Sequence, residues 1–133
     1  MNNSAFQFTN PTLVRLDFGI NEEFLNGNKE KEEADINLEL SVTSQETGKN
    51  EAQVSLTIQV GEKGKEAPYY IMLIERADFR WYEELELDRR KKLLTQNAPS
   101  LLLSYARPII SQITDVSPFN TFHIPFINFT TNR

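Results

Sequence analysis

Two neighbouring segments alternate apolar and polar side chains without a break, and this pattern constrains the fold more than any other feature. Residues 36–43 run Ile-Asn-Leu-Glu-Leu-Ser-Val-Thr, and residues 53–60 run Gln-Val-Ser-Leu-Thr-Ile-Gln-Val. A period of two is that of a strand with one face in a core and one in water. Residues 45–50 link the segments with a short polar run containing one glycine, which is typical of a hairpin. The pair predicts an antiparallel sheet.

Two further strands extend this sheet. The first is predicted from about Thr12, and Phe6 and Phe8 would extend it backwards past Pro11. Because proline cannot donate to a strand ladder, we expect an edge or a bulge there. Residues 69–74 are apolar on both faces, which predicts a strand covered on both sides.

Helices are predicted after Arg80, where the period changes. Acidic residues in 83–88 precede the basic run 89–92, which matches a helix dipole. Pro99 then suits the first turn of a second helix, whereas Pro108 predicts a kink or a late helix start. The apolar residues of this helix recur at steps of three and four and predict a stripe of Leu101, Leu102, Tyr105, Ile109, Ile113 and Val116. The tail, 119–129, is predicted to lie extended on the body.

These elements together predict an α+β domain. It would have a four-stranded antiparallel sheet with a long helix and one shorter helix on one face. The 133 residues fit a single domain over 1–133. The connection at 21–33 is charged yet carries Phe24 and Leu25, so it should fold back on the domain or offer these side chains to a partner.

Composition excludes several classes of protein. The net charge of -5 disfavours nucleic acid as a partner, and no apolar run is long enough to span a membrane. The N-terminal residues lack the features of a secretory signal, so we expect a cytoplasmic protein.

No residues are arranged for catalysis. The chain has no cysteine and a single histidine, His123, which excludes thiolate and multi-histidine metal sites. The acidic residues Glu30, Glu32 and Glu33 alternate with lysines and lack the apolar surroundings that proton transfer requires. Gly61 and Gly64 form no phosphate-binding loop. We therefore predict no enzyme activity, no metal and no cofactor. Aromatic residues make up 11% of the chain; most are expected in the core, and the exposed minority would favour binding of extended apolar peptides.

The C-terminal third carries a family resemblance. Tyr105-Ala106-Arg107 is followed by Phe119 and then by 124–129, Ile-Pro-Phe-Ile-Asn-Phe. This order resembles the SecB export chaperones, in which Tyr-Ala-Arg on the long helix precedes a Leu-Pro-Pro-(Val/Ile)-Asn-Phe segment. Upstream, Phe6-Gln7 and Leu38-Glu39-Leu40 are similar to the family as well.

The resemblance implies an ATP-independent chaperone that holds unfolded or partly folded polypeptide in apolar grooves and assembles as a homo-dimer or homo-tetramer. By the same resemblance, the polypeptide-binding residues would be Phe18, Ile20, Phe24, Leu25, Trp81 and Tyr82.

Departures from the family pattern leave an alternative open. The family's acidic docking positions for the SecA motor fall here on Arg15, Gly19 and Met72. We also expect a divergent member without the C-terminal helix and tail, and therefore without docking to the motor. The alternative function is a dedicated interaction protein that binds one specific partner.

Overall fold

The computed structural model describes residues 6–27, 36–64 and 66–130; Glu30, Glu32 and Glu33 lie outside them. The helices and strands in chain order are β1 Phe6–Phe8, β2 Thr12–Ile20, α1 Glu22–Gly27, β3 Leu38–Gly48, β4 Glu51–Gly61, β5 Tyr69–Trp81, α2 Leu87–Lys92 and α3 Ala98–Asp115. A π-helical turn, Leu93–Asn97, joins α2 to α3. The predicted α+β class, with one long and one shorter helix after the sheet, is confirmed.

The strands form one antiparallel sheet with β5 near its centre. β4 pairs with β5 on one side and with β3 on its own far side. On the other side of β5, β1 pairs with 79–81 and β2 with 69–76. The sheet therefore has five strands where the sequence predicted four. The predicted edge strand is divided before Pro11, whose missing N–H suits the break.

The two faces of the sheet differ sharply in burial. Alternate residues of β4 from Ala52 to Val60, and of β5 from Tyr69 to Trp81, are buried on the face we call inner. Helix α3 packs over β4 and β5 on this face. On the outer face, Tyr70, Met72 and Ile74 are only half-buried, so the predicted cover on both sides is not supplied by this chain alone.

Helix α3 buries a different face from the one predicted. Its buried residues are Ala98, Pro99, Leu102, Leu103, Ala106, Ile110 and Thr114. Tyr105 is 42% exposed and Val116 is 80% exposed. The predicted stripe followed the largest apolar side chains, whereas Ala98 and Ala106 face the sheet because small side chains let a helix approach closely. Leu101, Tyr105 and Ile109, which were predicted to face the core, lie on a side of α3 that this chain does not bury completely.

Both prolines of α3 are now located. Pro99 lies in the first turn, as predicted. Pro108 lies inside a helix that continues to Asp115, so a late helix start is wrong. The tail forms neither helix nor strand from 119 to 128, as predicted for an extended segment. We call residues 119–129 the strap.

Candidate functional site

Four aromatic rings meet where β2, α1, β5 and the strap come together. The ring centroid of Phe18 lies 6.1 Å from that of Tyr69. The Phe119 ring lies 5.9 Å from Tyr69 and 5.8 Å from Phe24, the latter contact being edge-to-face. Such tilted pairs add about 0.5–1.5 kcal/mol each beyond their burial. We call Phe18, Phe24, Tyr69 and Phe119 the aromatic corner.

Asn21 fixes the turn that brings Phe24 into this corner. Its Nδ2 donates to the carbonyl oxygens of Glu62, at 2.6 Å, and Ala67, at 2.9 Å. The side chain is almost buried, and the Asn21 carbonyl accepts from the Leu25 N–H at 3.1 Å, closing the first turn of α1. Phe24 is consequently 2% exposed. Of the two predicted alternatives for this connection, Phe24 follows the first: α1 folds back on the domain and buries the ring.

The inner face of β2 is apolar but incompletely covered. Leu16, Phe18 and Ile20 share this face, opposite Leu73, Ile71 and Tyr69 of β5. All three β2 side chains are half-buried, whereas their β5 partners are buried. We call Leu16, Phe18 and Ile20 the β2 margin. It runs directly into the aromatic corner.

A second uncovered margin lies on the opposite edge of the sheet. Leu38, Leu40 and Val42 of β3 lie opposite buried residues of β4. Leu38 and Leu40 are half-buried, and Val42 is 37% exposed. Since α3 packs over the two central strands, apolar surface remains partly open along both outer strands.

Trp81 and Tyr82 do not join the other predicted site residues. Trp81 ends β5, twelve residues after Tyr69, so it lies about 40 Å from the aromatic corner along the strand. Trp81 is 7% exposed, and the Arg90 guanidinium lies 5.8 Å from its ring centroid. Trp81 therefore belongs to the core, because β5 continues far enough to bury it. Tyr82, the next residue, is 45% exposed.

The structure thus brings Phe18, Ile20, Phe24 and Leu25 together at one end of the sheet. Sequence reasoning missed Tyr69 and Phe119, which contribute two of the four rings. Phe119 carried a usable signal, since it lies in the segment that resembles the family pattern. Tyr69 carried none, because a strand that is apolar on both faces does not reveal which residue reaches a corner.

The strap is attached to α3 by polar side chains of the helix. Arg107 donates from Nη1 to the Ile124 carbonyl and from Nη2 to the Pro125 carbonyl, the latter at 2.9 Å. Ser111 Oγ lies 3.5 Å from the Phe122 carbonyl, and the Phe122 N–H donates to Thr114 Oγ1 at 2.9 Å. We call Arg107, Ser111 and Thr114 the polar row. These contacts give a physical role to the Tyr-Ala-Arg and Ile-Pro-Phe motifs, which meet in space.

Glu75 is the one acidic residue buried among the described residues. It lies on the inner face of β5 between Leu13 of β2 and Leu56 of β4, and it is 2% exposed. Its Oε1 has no hydrogen-bond partner. Burial raises the pKa of this carboxyl, because the charged form loses its hydration.

His123 lies in the strap and is exposed. Its Nδ1 is 3.3 Å from Ser111 Oγ, next to the polar row. Within 6–27, 36–64 and 66–130, no group of three or more histidine or acidic residues is placed to hold a metal ion.

The outer face of the sheet carries Arg15, Gly19 and Met72, the positions that the resemblance assigned to motor docking. Arg15 forms an exposed ion pair with Asp17 at 3.1 Å. Gly19 lies opposite Tyr70, whose ring fills the space beside it: a Cβ at Gly19 would be 2.5 Å from the tyrosine oxygen. Lys63 lies 5.0 Å above the same ring. This surface is therefore mixed in charge, with an aromatic side chain at its centre.

Comparison with known proteins now gives the family. The family model for SecB, preprotein translocase subunit SecB, matches residues 21–131, which include α1, β3 to α3 and the strap. The chain belongs to the SecB family. Among curated SecB family members, the protein-export protein SecB of Acidithiobacillus ferrooxidans is 23% identical over 95 residues, 71% of this chain and 64% of that protein. SecB of Alcanivorax borkumensis is 24% identical over 97 residues, 71% of this chain and 62% of its own length. The chain thus matches somewhat less than two thirds of these relatives.

A solved structure shares the fold. The Mycobacterium tuberculosis Rv1957 SecB-like chaperone, in complex with a ChAD peptide from the Rv1956 HigA1 antitoxin, superposes with a TM-score of 0.66. The match covers 92% of this chain and 91% of that chain at 9% identity, so it supports the SecB-like fold alone. In the part of the chain that the structure describes, no helix is long and apolar enough to cross a membrane.

Proposed function

We propose that this protein binds unfolded or partly folded polypeptide without ATP, as a chaperone of SecB type. The observation that carries the proposal is the β2 margin. Leu16, Phe18 and Ile20 lie on the same face as the core but remain half-buried, and they continue into the aromatic corner. An extended chain with alternate apolar side chains would bury both surfaces, and each large apolar side chain buried contributes about 1.5–3 kcal/mol.

The proposed binding residues at this end of the sheet are Phe18 and Ile20, with Phe24 and Leu25 behind them. Phe24 would form the floor rather than the contact surface, because it is buried in the chain alone. Tyr82 remains a proposed contact at the other end, with Trp81 beneath it. The margin of β3 offers a second apolar surface on the opposite edge.

Self-association is part of the proposal. Leu101, Tyr105 and Ile109 form an apolar helix face that the chain leaves partly open, and Tyr70, Met72 and Ile74 do the same on the outer face of the sheet. A second copy covering either face would give the homo-dimer or homo-tetramer expected from the resemblance.

The alternative function is a dedicated interaction protein, and the outer face of β2 favours it. Arg15 paired with Asp17, and Gly19 covered by Tyr70, do not form an acidic docking surface for a basic motor partner. The fold neighbour is a SecB-like chaperone in complex with a peptide from an antitoxin.

One experiment separates these functions. Several unrelated denatured proteins are diluted into buffer with stoichiometric amounts of this protein, and aggregation is followed by light scattering. Suppressed aggregation of most of these proteins supports the chaperone. No effect on the aggregation of any of them contradicts it and favours a dedicated interaction protein. Co-sedimentation with a SecA-type motor is measured alongside, and tight binding would contradict the proposed loss of docking.

A further inference from the structure

The strap has the chemistry of a bound client segment. Residues 118–129 include no aspartate, glutamate, lysine or arginine and a single histidine, His123. The apolar residues Phe119, Phe122, Ile124, Ile127 and Phe129 all pack against the core. Ile124 is 5% exposed, whereas Phe126 is 84% exposed. The strap is thus an extended segment without carboxylate, lysine or arginine side chains, and it lies across α3 with some side chains buried and others exposed.

The polar row holds the strap through main-chain atoms. Arg107 contacts two carbonyl oxygens, Ser111 lies beside a third, and Thr114 accepts from an amide. Ser111 also lies 3.3 Å from the His123 side chain, but the other contacts are to the main chain alone. Arg107 and Ser111, four residues and about 6 Å apart on the helix, contact carbonyls two residues apart on the strap, close to the ~6.6 Å repeat of an extended chain. The polar row can therefore accept the backbone of any extended segment running antiparallel to α3.

The strap is held less firmly than a strand would be. No residue from 119 to 128 belongs to a helix or a strand, so its release breaks side-chain contacts and apolar packing without opening a sheet. Segments of this kind open at lower free energy than the core. Phe119 also belongs to the aromatic corner, so a client on the β2 margin would meet the first residue of the strap.

We propose that the groove beneath the strap, with the polar row along α3, is a binding site for extended polypeptide, and that the strap is its exchangeable occupant. This inference rests on the proposed function. The ligand is an uncharged extended segment with apolar side chains at close spacing. Such a segment displaces the strap, and Arg107, Ser111 and Thr114 then hold its backbone.

A cross-link tests the proposal in the intact chain. The protein has no cysteine, so Asp115→Cys with Thr121→Cys provides a unique thiol pair outside the polar row, at positions whose side-chain oxygens lie 2.8 Å apart in the structure. Dibromobimane bridges nearby thiols and becomes fluorescent when it does so. The probe is a labelled synthetic peptide of residues 118–129, with a control peptide carrying serine in place of Phe122, Ile124 and Ile127. Binding is measured by fluorescence anisotropy.

The un-cross-linked protein is expected to bind the probe and discriminate against the control peptide. Cross-linked protein should bind the probe at least about tenfold more weakly, because a fixed strap removes the binding-competent fraction. Equal affinity before and after cross-linking would overturn the proposal, and so would absence of binding to the un-cross-linked protein.

Hydrogen exchange gives a second test that needs no cysteine. In the wild type, strap amides should exchange faster than those of α3, and Arg107→Ala should speed strap exchange several-fold while leaving β4 and β5 unchanged. Lys91→Ala, an exposed basic residue on α2, is the matched control and should have no such effect. Exchange of the strap only together with α3 would overturn the proposal.

Capture of a denatured client is measured on the same samples. Probe binding without client capture contradicts the proposed function and leaves the strap site in place. Client capture without probe binding contradicts the strap site alone.

Discussion

Removing the buried carboxyl of Glu75 should stabilise the protein at neutral pH. We consider Glu75→Met, which keeps the length of the side chain and removes its charge. Glu75 is 2% exposed, lies between Leu13 and Leu56, and leaves Oε1 without a partner. A buried polar group without a partner costs about 1–3 kcal/mol. For a chain of this size, a gain of 1 kcal/mol corresponds to roughly 3–4 °C in Tm.

The gain should depend on pH in a defined direction. Because burial raises the pKa of Glu75, the unfolded chain loses this proton near the ordinary value of 4.5, while the folded chain retains it to higher pH. Stability from Glu75 is therefore present below pH 4.5 and is lost as pH rises through the folded pKa. The advantage of Glu75→Met should be small at pH 4.5 and largest at neutral pH.

Urea unfolding followed by the fluorescence of Trp81, the single tryptophan, measures this difference. Glu46→Gln is the control, since it removes a carboxylate at an exposed position of β3. A Glu75→Met protein that is less stable than the wild type at neutral pH, or equally shifted at both pH values, would refute the reasoning.

Three other predictions concern packing. Ile110→Ala should lower the free energy of unfolding in urea by about 2–5 kcal/mol because Ile110 is completely buried. Tyr105→Ala should lower it by under about 1 kcal/mol in dilute monomer because Tyr105 is exposed. Equal losses of stability would contradict the observed buried face of α3. Gly19→Ala should displace the Tyr70 ring and cost about 1–3 kcal/mol, visible as a change in near-UV circular dichroism; an unchanged tyrosine signal would contradict the close contact. Light scattering at micromolar concentration should give the mass of a dimer or tetramer, and Tyr105→Glu should lower that mass by placing a charge on the open face of α3. A wild-type mass of 15.4 kDa would contradict the proposed self-association.

Strict alternation made the centre of the sheet predictable. Residues 38–43 of the first segment lie in β3 and residues 53–60 lie in β4, and their apolar sets lie on one face in mutual register. The hairpin between them was predicted, but the link 45–50 was too long, because β3 continues to Gly48 and only Lys49 and Asn50 form the turn. The division of the edge strand at Pro11 and the π turn at Leu93–Asn97 were not predictable to the same degree, because both depend on how neighbouring elements pack.

The errors share one physical cause. The predicted stripe of α3 contained large apolar side chains only, and of these Leu102 is buried; the buried face also includes the small residues Ala98, Ala106 and Thr114, which the stripe omitted. Thr114 is tolerated there because its hydroxyl donates to the Ile110 carbonyl at 2.8 Å and accepts from the strap. The burial of Phe24 depends on Asn21 reaching carbonyls more than forty residues away. Sequence patterns report local periodicity. Which face of α3 is buried, and whether Phe24 is buried, depend instead on residues far away in the chain.

The most direct test of the account places a photo-crosslinker on adjacent residues of β2. Phe18 lies on the inner face and Asp17 on the outer face, so a benzophenone amino acid at each position samples opposite sides of one strand. A radiolabelled denatured client is added, irradiated and resolved by electrophoresis. The account predicts client adducts from position 18 well above those from position 17. Equal labelling, stronger labelling from position 17, or no adduct from either would contradict the proposed binding of polypeptide on the β2 margin.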